Sequence, residues 1–103
     1  MITLLMLGLT APSLGADSIP IRPLWLPPTI TEYVIPRAGA FPHDPAVGAD
    51  GIVWYTDQTN SFIGRLDPAT GMITDVPTPT PRSGPHGIEV GPDGMVWYTA
   101  QAV

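Results

Sequence analysis

Pro42-His43-Asp44-Pro45-Ala46-Val47-Gly48-Ala49-Asp50-Gly51-Ile52-Val53-Trp54-Tyr55-Thr56-Asp57-Gln58 is written again, 43 residues on, as Pro85-His86-Gly87-Ile88-Glu89-Val90-Gly91-Pro92-Asp93-Gly94-Met95-Val96-Trp97-Tyr98-Thr99-Ala100-Gln101. The copies align without a gap and agree at 11 of 17 positions, where chance gives about one. The same offset relates Ile30-Thr31 to Ile73-Thr74 and Pro36 to Pro79, so the repeat is longer than its signature. A unit of this length, dense in turn residues and short β-branched or aromatic runs, matches a four-stranded propeller blade. Helical repeats need long apolar faces at a spacing of 3.6 residues, and outside residues 1–11 no stretch free of Pro and Gly is long enough to show one. The expected fold is all-β: four-stranded antiparallel blades of an incomplete β-propeller.

Working outward, Thr29 to Ile35, closed by Pro36, reads as the outermost strand of one blade, and Met72 to Val76 as its counterpart in the next. Between them Asp44 to Gly48 is expected as the innermost strand, Ile52 to Asp57 as the second and Phe62 to Leu66 as the third. The apolar run of the second strand fits a sheet covered on both faces, which assigns Trp54 and Trp97 to the core. Ala49-Asp50-Gly51, Pro92-Asp93-Gly94 and Asp67-Pro68-Ala69-Thr70-Gly71 are turns, whose aspartates bond nearby amides. A following blade begins near Gly87 and runs to Val103. Fewer than two blades leave apolar faces wet, so the chain is expected to be part of a longer propeller or to assemble with its own copies.

Residues 1–16 carry no charged side chain and a short apolar core that ends in Ala-Pro-Ser-Leu-Gly-Ala, the pattern of a secretory signal peptide without its basic start. Secretion or a periplasmic location is expected from it, and the apolar run is too short for a transmembrane helix. Residues 17–28 are a Pro-rich linker in which Trp25 is expected to dock on a blade face.

Net charge is −5, with no lysine and only four arginines. Nucleic acid is therefore not expected as a partner, because phosphate binding needs a basic patch. No cysteine means no disulfide framework and no thiol nucleophile. Phosphate-cradling Gly-rich loops, Gly-x-Ser-x-Gly elbows and His-Glu-x-x-His helices are also missing from the sequence.

The run from Pro42 to Asp75, with Pro-His, Asp-Gly, Val-Trp-Tyr-Thr-Asp, Asn-x-Phe-Ile-Gly-Arg-Leu-Asp and Gly-Met-Ile-Thr-Asp, resembles the repeat of the virginiamycin B lyase family. The resemblance covers residues 29–103. It implies a seven-bladed propeller that opens a cyclic streptogramin ester by elimination, without water, using a divalent metal, usually magnesium (Mg2+). It also implies that His43 and His86, at the starts of neighbouring inner strands, face the central channel as catalytic candidates. The family places a glutamate two residues before such a histidine, where this chain has Phe41 and Gly84. It places an acid after the aromatic-Thr pair, where this chain has Asp57 and Ala100.

An elimination needs a base that titrates near neutrality, which imidazole provides, and stabilisation of the negative charge that develops beside the ester carbonyl. His43 or His86 as base, with Asp57 as metal ligand or orienter, is a sensible combination. A histidine in every blade also has a scaffold role open to it, capping the inner strand through a neighbouring carbonyl. Arg65 is expected to pair with an acid of the next blade. Asp44 stands where the second copy has Gly87, and a departure from the repeat at the channel marks a site candidate. Beside the lyase stand a non-catalytic propeller that binds a ligand or protein, and a lactonase-like hydrolase, which needs several oxygen donors around one cation.

Overall fold

The computed structural model describes residues 3–8 and 27–102, with the backbone alone for residues 3–7. Eight strands occur in chain order: β1 (Thr3–Gly8), β2 (Thr29–Val34), β3 (Pro42–Val47), β4 (Val53–Asp57), β5 (Phe62–Asp67), β6 (Met72–Pro77), β7 (Pro85–Val90) and β8 (Val96–Ala100). No helix occurs among the described residues, so none is there to cross a membrane. The strands form three antiparallel sheets, β1-β2, β3-β4-β5-β6 and β7-β8. The central sheet is one whole blade, and its four strands lie within two residues of the segments read from the repeat.

Strand β2 takes the place of an outermost strand, and its partner is β1, from Thr3 opposite Val34 to Gly8 opposite Thr29. The first part of the expected leader is thus backbone-paired like the third strand of a blade. The end of that leader and the Pro-rich linker with Trp25 fall in residues 9–26, outside the described residues.

The turns follow from their residues. Asp50 and Asp93 each accept an amide bond two residues on, from Ile52 and Met95, both at 3.1 Å. Gly51 and Gly94 supply the left-handed backbone that closes these turns, with φ of 81° and 80°. Asp67 does the same for the β5–β6 hairpin through the Ala69 amide at 3.0 Å.

The core lies where successive sheets stack. Ile35, Ala40, Val53, Tyr55 and Leu66 are buried together, with Tyr33 and Ile73 packed against them. Tyr55 fits because the residue opposite it on β5 is Gly64, which leaves room for the ring. On the other side, β7 packs against β3 and β4.

The two copies of Val-Trp-Tyr-Thr differ sharply in burial. Val53, Tyr55 and Thr56 are buried and Trp54 is half-buried, whereas Trp97 is 64% exposed. Contrary to expectation, neither tryptophan belongs to the core: Trp54 stands half-buried beside it, and Trp97 lies largely in solvent. The reason is physical: the β7–β8 sheet covers the face that carries Trp54, and nothing among the described residues covers the equivalent face of β8. Arg65 likewise departs from expectation: no ion pair of Arg65 occurs among the described residues, and it sits in register between Trp54 and Thr74.

Candidate functional site

The starts of the two inner strands are irregular in the same way. On β3 the register steps from Pro42 opposite Asp57 to Pro45 opposite Tyr55, so that two residues, His43 and Asp44, face the single Thr56. On β7 the step from Pro85 to Ile88 sets His86 and Gly87 against Thr99. A bulge of this kind re-aims side chains at a sheet rim. It explains how neighbours in sequence, His43 and Asp44, come to hydrogen-bond one another, with His43 Nδ1 3.0 Å from Asp44 Oδ1.

Thr56 fixes this rim. Its hydroxyl accepts the Asp44 amide at 3.1 Å and donates to the His86 carbonyl at 2.9 Å, from a fully buried position. One side chain therefore clamps the bulge of β3 to the start of β7. The clamp brings His86 over to Asp44, with His86 Nδ1 3.2 Å from Asp44 Oδ2. The two imidazole rings stand 4.5 Å apart at 45°. Asp44 thus sits between two histidines from neighbouring blades, one carboxylate oxygen facing each. All three side chains are about one-third exposed, accessible to a small ligand.

The sequence candidates His43, His86 and Asp44 are therefore brought together. Asp57 is set elsewhere. Its carboxylate, fully buried, is bound by the Arg37 guanidinium, by the Phe41 amide at 3.0 Å, and by the amide and side chain of Asn60 at 3.2 and 2.8 Å. Burial alone disfavours its charge, but these donors outweigh burial and hold the carboxyl below the usual range. Arg37 also reaches Asp75 at 2.7 Å, and Asp75 accepts the Tyr55 hydroxyl at 2.9 Å. Burial first, and then that hydrogen bond, push the Tyr55 phenol well above its ordinary value. This group ties the crossing segment 35–41 to the blade, and a carboxylate so engaged has no free lone pairs to offer a metal. The role expected of Asp57 as metal ligand is corrected accordingly.

Arg37, Asn60 and Thr56 are the residues that sequence reasoning missed. The signal for Arg37 was present: the second copy has Thr80 where the first has Arg37, and Ala100 where the first has Asp57, so the two partners are replaced together. Thr56 gave no such signal, because Thr99 repeats it.

Magnesium takes oxygen ligands in a near-ideal octahedron and usually binds through carboxylates and water. The rim offers two ring nitrogens and one carboxylate. That donor set does not fit magnesium.

A second concavity, lined by Gly87, Glu89, Trp97 and Thr99 among others, lies on the open face of β7 and β8. It gathers no comparable cluster of ionisable side chains.

The virginiamycin B lyase family profile matches residues 22–103. The structure superposes on virginiamycin B lyase from Staphylococcus aureus with a TM-score of 0.67 and 37% identity, over 73% of this chain and 25% of that one. A catalytically inactive histidine-to-alanine variant of the Staphylococcus aureus enzyme, with quinupristin, gives 0.66 and 37%, over 73% and 25%. A streptogramin B lyase structure gives 0.65 and 32%, over 71% and 24%. No curated protein matches the chain. The chain spans about a quarter of the length of the structures it resembles. With the repeat, the whole blade and these superpositions agreeing, the chain belongs to the virginiamycin B lyase family.

Proposed function

We propose that this chain presents the proton-abstracting sector of a ring-opening lyase site for cyclic esters of the streptogramin B type. The observation that carries the reading is the position of Asp44 between His43 and His86 on neighbouring inner strands. A carboxylate only accepts hydrogen bonds, so each imidazole facing it carries its proton on Nδ1 and leaves the Nε2 lone pair free. Such an imidazole is a base held in the productive tautomer. In the elimination, Nε2 of one histidine takes the proton from the carbon next to the one bearing the ester oxygen. The C–H electrons form a C=C bond and the C–O bond breaks. The ring opens to a carboxylate and an alkene, the proton stays on the imidazole, and no water is consumed.

Among the described residues, Phe41 and Gly84 stand at the family's glutamate positions and Asp57 is engaged by Arg37, so none of these positions offers a group to stabilise the developing negative charge. Binding and base positioning are therefore the part that this chain performs, and the isolated chain is expected to turn nothing over. The same observation supports a second reading, a propeller that binds the ester without reacting with it.

The test is to titrate the chain with quinupristin while following the ring signals of its two histidines by NMR, and to analyse the mixture by mass spectrometry. Both ring signals are expected to shift, with no conversion. Unmoved histidines at saturating quinupristin overturn the reading. A product of unchanged mass with an opened ring overturns the expected inactivity but supports the lyase chemistry. A product one water heavier replaces the lyase by the hydrolase.

A further inference from the structure

The whole blade runs β3-β4-β5-β6 from its inner to its outer strand, and beside it the other two sheets are complementary halves. Sheet β7-β8 repeats β3-β4 at the 43-residue offset and supplies a first and a second strand. Sheet β1-β2 supplies a third and a fourth. Strand β2 matches β6 at the same offset, and β1 lies along it from Thr3 opposite Val34 to Gly8 opposite Thr29, as β5 lies along β6 from Phe62 opposite Pro77 to Asp67 opposite Met72. Among the described residues, nothing pairs the far edge of β8 or of β1. These two edges cannot meet within one chain, because Tyr33 of β2 packs on one face of the whole blade and β7 on the other. We propose that they meet between chains: β1 of a second copy pairs with β8, so that two chains complete one four-stranded blade.

The whole blade sets the register. Thr56 stands opposite Ile63 and Trp54 opposite Arg65, which carries over to Thr99 opposite Leu4, and Trp97 opposite Met6, of the second copy. The backbone groups are aimed for it. The Met95 carbonyl accepts the Gly91 amide at 2.8 Å and the Gln101 amide donates to the Gly84 carbonyl at 3.2 Å, both toward β7. Backbone groups alternate sides along an antiparallel strand, so those of Tyr98 and Ala100 face the free edge. Such an edge is a template for another strand. Leu5 comes opposite Tyr98 where Gly64 is opposite Tyr55, so the Tyr98 ring must leave the place that Tyr55 takes.

The same docking covers Trp97. The whole blade of the second copy follows its own β1-β2 sheet and lies across the shared blade, as β7 lies across β3 and β4 within one chain. The indole that is 64% exposed is then covered like that of Trp54. The contact is head-to-tail, and such contacts close into rings where the rotation allows. Each copy carries the strands of two blades, so a ring holds an even number. The even counts beside the seven implied by the family resemblance are six and eight, from three or four copies, within the usual range of about four to eight blades. The assembly requires that residues 3–8 stay on the chain. It rests on neither the histidine cluster nor the lyase reading.

The experiment uses the untagged full chain and no substrate. Native mass spectrometry is expected to find three or four copies. Hydrogen exchange of the assembled parent should show the Tyr98 and Ala100 amides slowed by about tenfold or more relative to an unpaired edge. The chain has no cysteine, so Leu4→Cys with Thr99→Cys should give reducible covalent multimers on oxidation. Leu5→Cys with Thr99→Cys, one residue out of register and on the opposite face, should not. A single copy at every concentration or any other stoichiometry overturns the proposal, as do edge amides that exchange freely or equal linking by both cysteine pairs. Should the cysteine variants lose the circular dichroism of the parent, the mass and the exchange of the parent decide.

Discussion

The guanidinium of Arg37 binds the buried carboxylate of Asp57, and the second copy of the repeat replaces both at once, by Thr80 and Ala100. The pair behaves as a unit: where the cation is dropped, the acid is dropped with it. A buried carboxylate without its partner is costly, which explains why neither is kept alone. The same relationship engages both oxygens of Asp57 within the scaffold, through Arg37, Phe41 and Asn60.

Asp57→Ala is expected to destabilise the chain by on the order of 3 kcal/mol, because Arg37 and the donors of Phe41 and Asn60 lose their acceptor. The double change Arg37→Thr with Asp57→Ala copies the second unit. It should cost less than the sum of the two single changes by about 1 kcal/mol or more. Urea denaturation of the four proteins measures this, and strict additivity would show that the pair is not coupled.

Stability should fall at both ends of the pH scale for different reasons. Asp57 has a lowered pKa in the folded state, so its contribution is complete above the ordinary aspartate value of about 3.9 and disappears as pH drops through the lower folded value. Tyr55 has a raised pKa, so its contribution is complete below the ordinary value of about 10 and decays as pH rises above it, where the unfolded phenol ionises first. Denaturation midpoints against pH should lose the acid step in Asp57→Ala and the alkaline step in Tyr55→Phe.

Thr56→Val should cost about 1–3 kcal/mol, since the Asp44 amide and the His86 carbonyl both lose the buried hydroxyl that joins them. Thr99→Val removes only the bond to the Gly87 amide, at an exposed position, and should cost under about 1 kcal/mol. Equal costs would mean that the clamp between blades contributes nothing beyond the local bulge.

Gly64→Ala should be among the most damaging small changes, at about 3 kcal/mol or more, because a Cβ there would stand 1.8 Å from the Tyr55 ring. The ring cannot swing away without breaking its 2.9 Å bond to Asp75. Gly87→Ala meets only the Thr99 hydroxyl at an ordinary 3.5 Å and should stay within about 1 kcal/mol. Thermal melts of the two variants make the comparison.

Much of the candidate cluster was legible in the sequence because its residues stand at matching places of a repeat of fixed period. His43 and His86 were recognisable from their matching places, and Asp44 from breaking the match against Gly87. Asp57 was misread because its position follows the aromatic-Thr pair, whereas its role depends on Arg37, 20 residues away along the chain, and on the crossing segment that brings the two together. No local pattern shows whether a carboxylate is already spoken for.

Strand positions, turns and the blade itself follow from the sequence alone, because alternation, Asp-Gly turns and the 43-residue offset are short-range properties that each segment carries with it. Burial does not. Val53-Trp54-Tyr55-Thr56 and Val96-Trp97-Tyr98-Thr99 are the same residues in the same kind of strand, yet Thr56 is fully buried and Trp97 is 64% exposed. What separates them is whether another sheet lies across the face, and that depends on which neighbour supplies the covering surface. The meeting of His43, Asp44 and His86 has the same origin: the repeat supplied the residues, and the packing of β7 on β3 turned them toward one point.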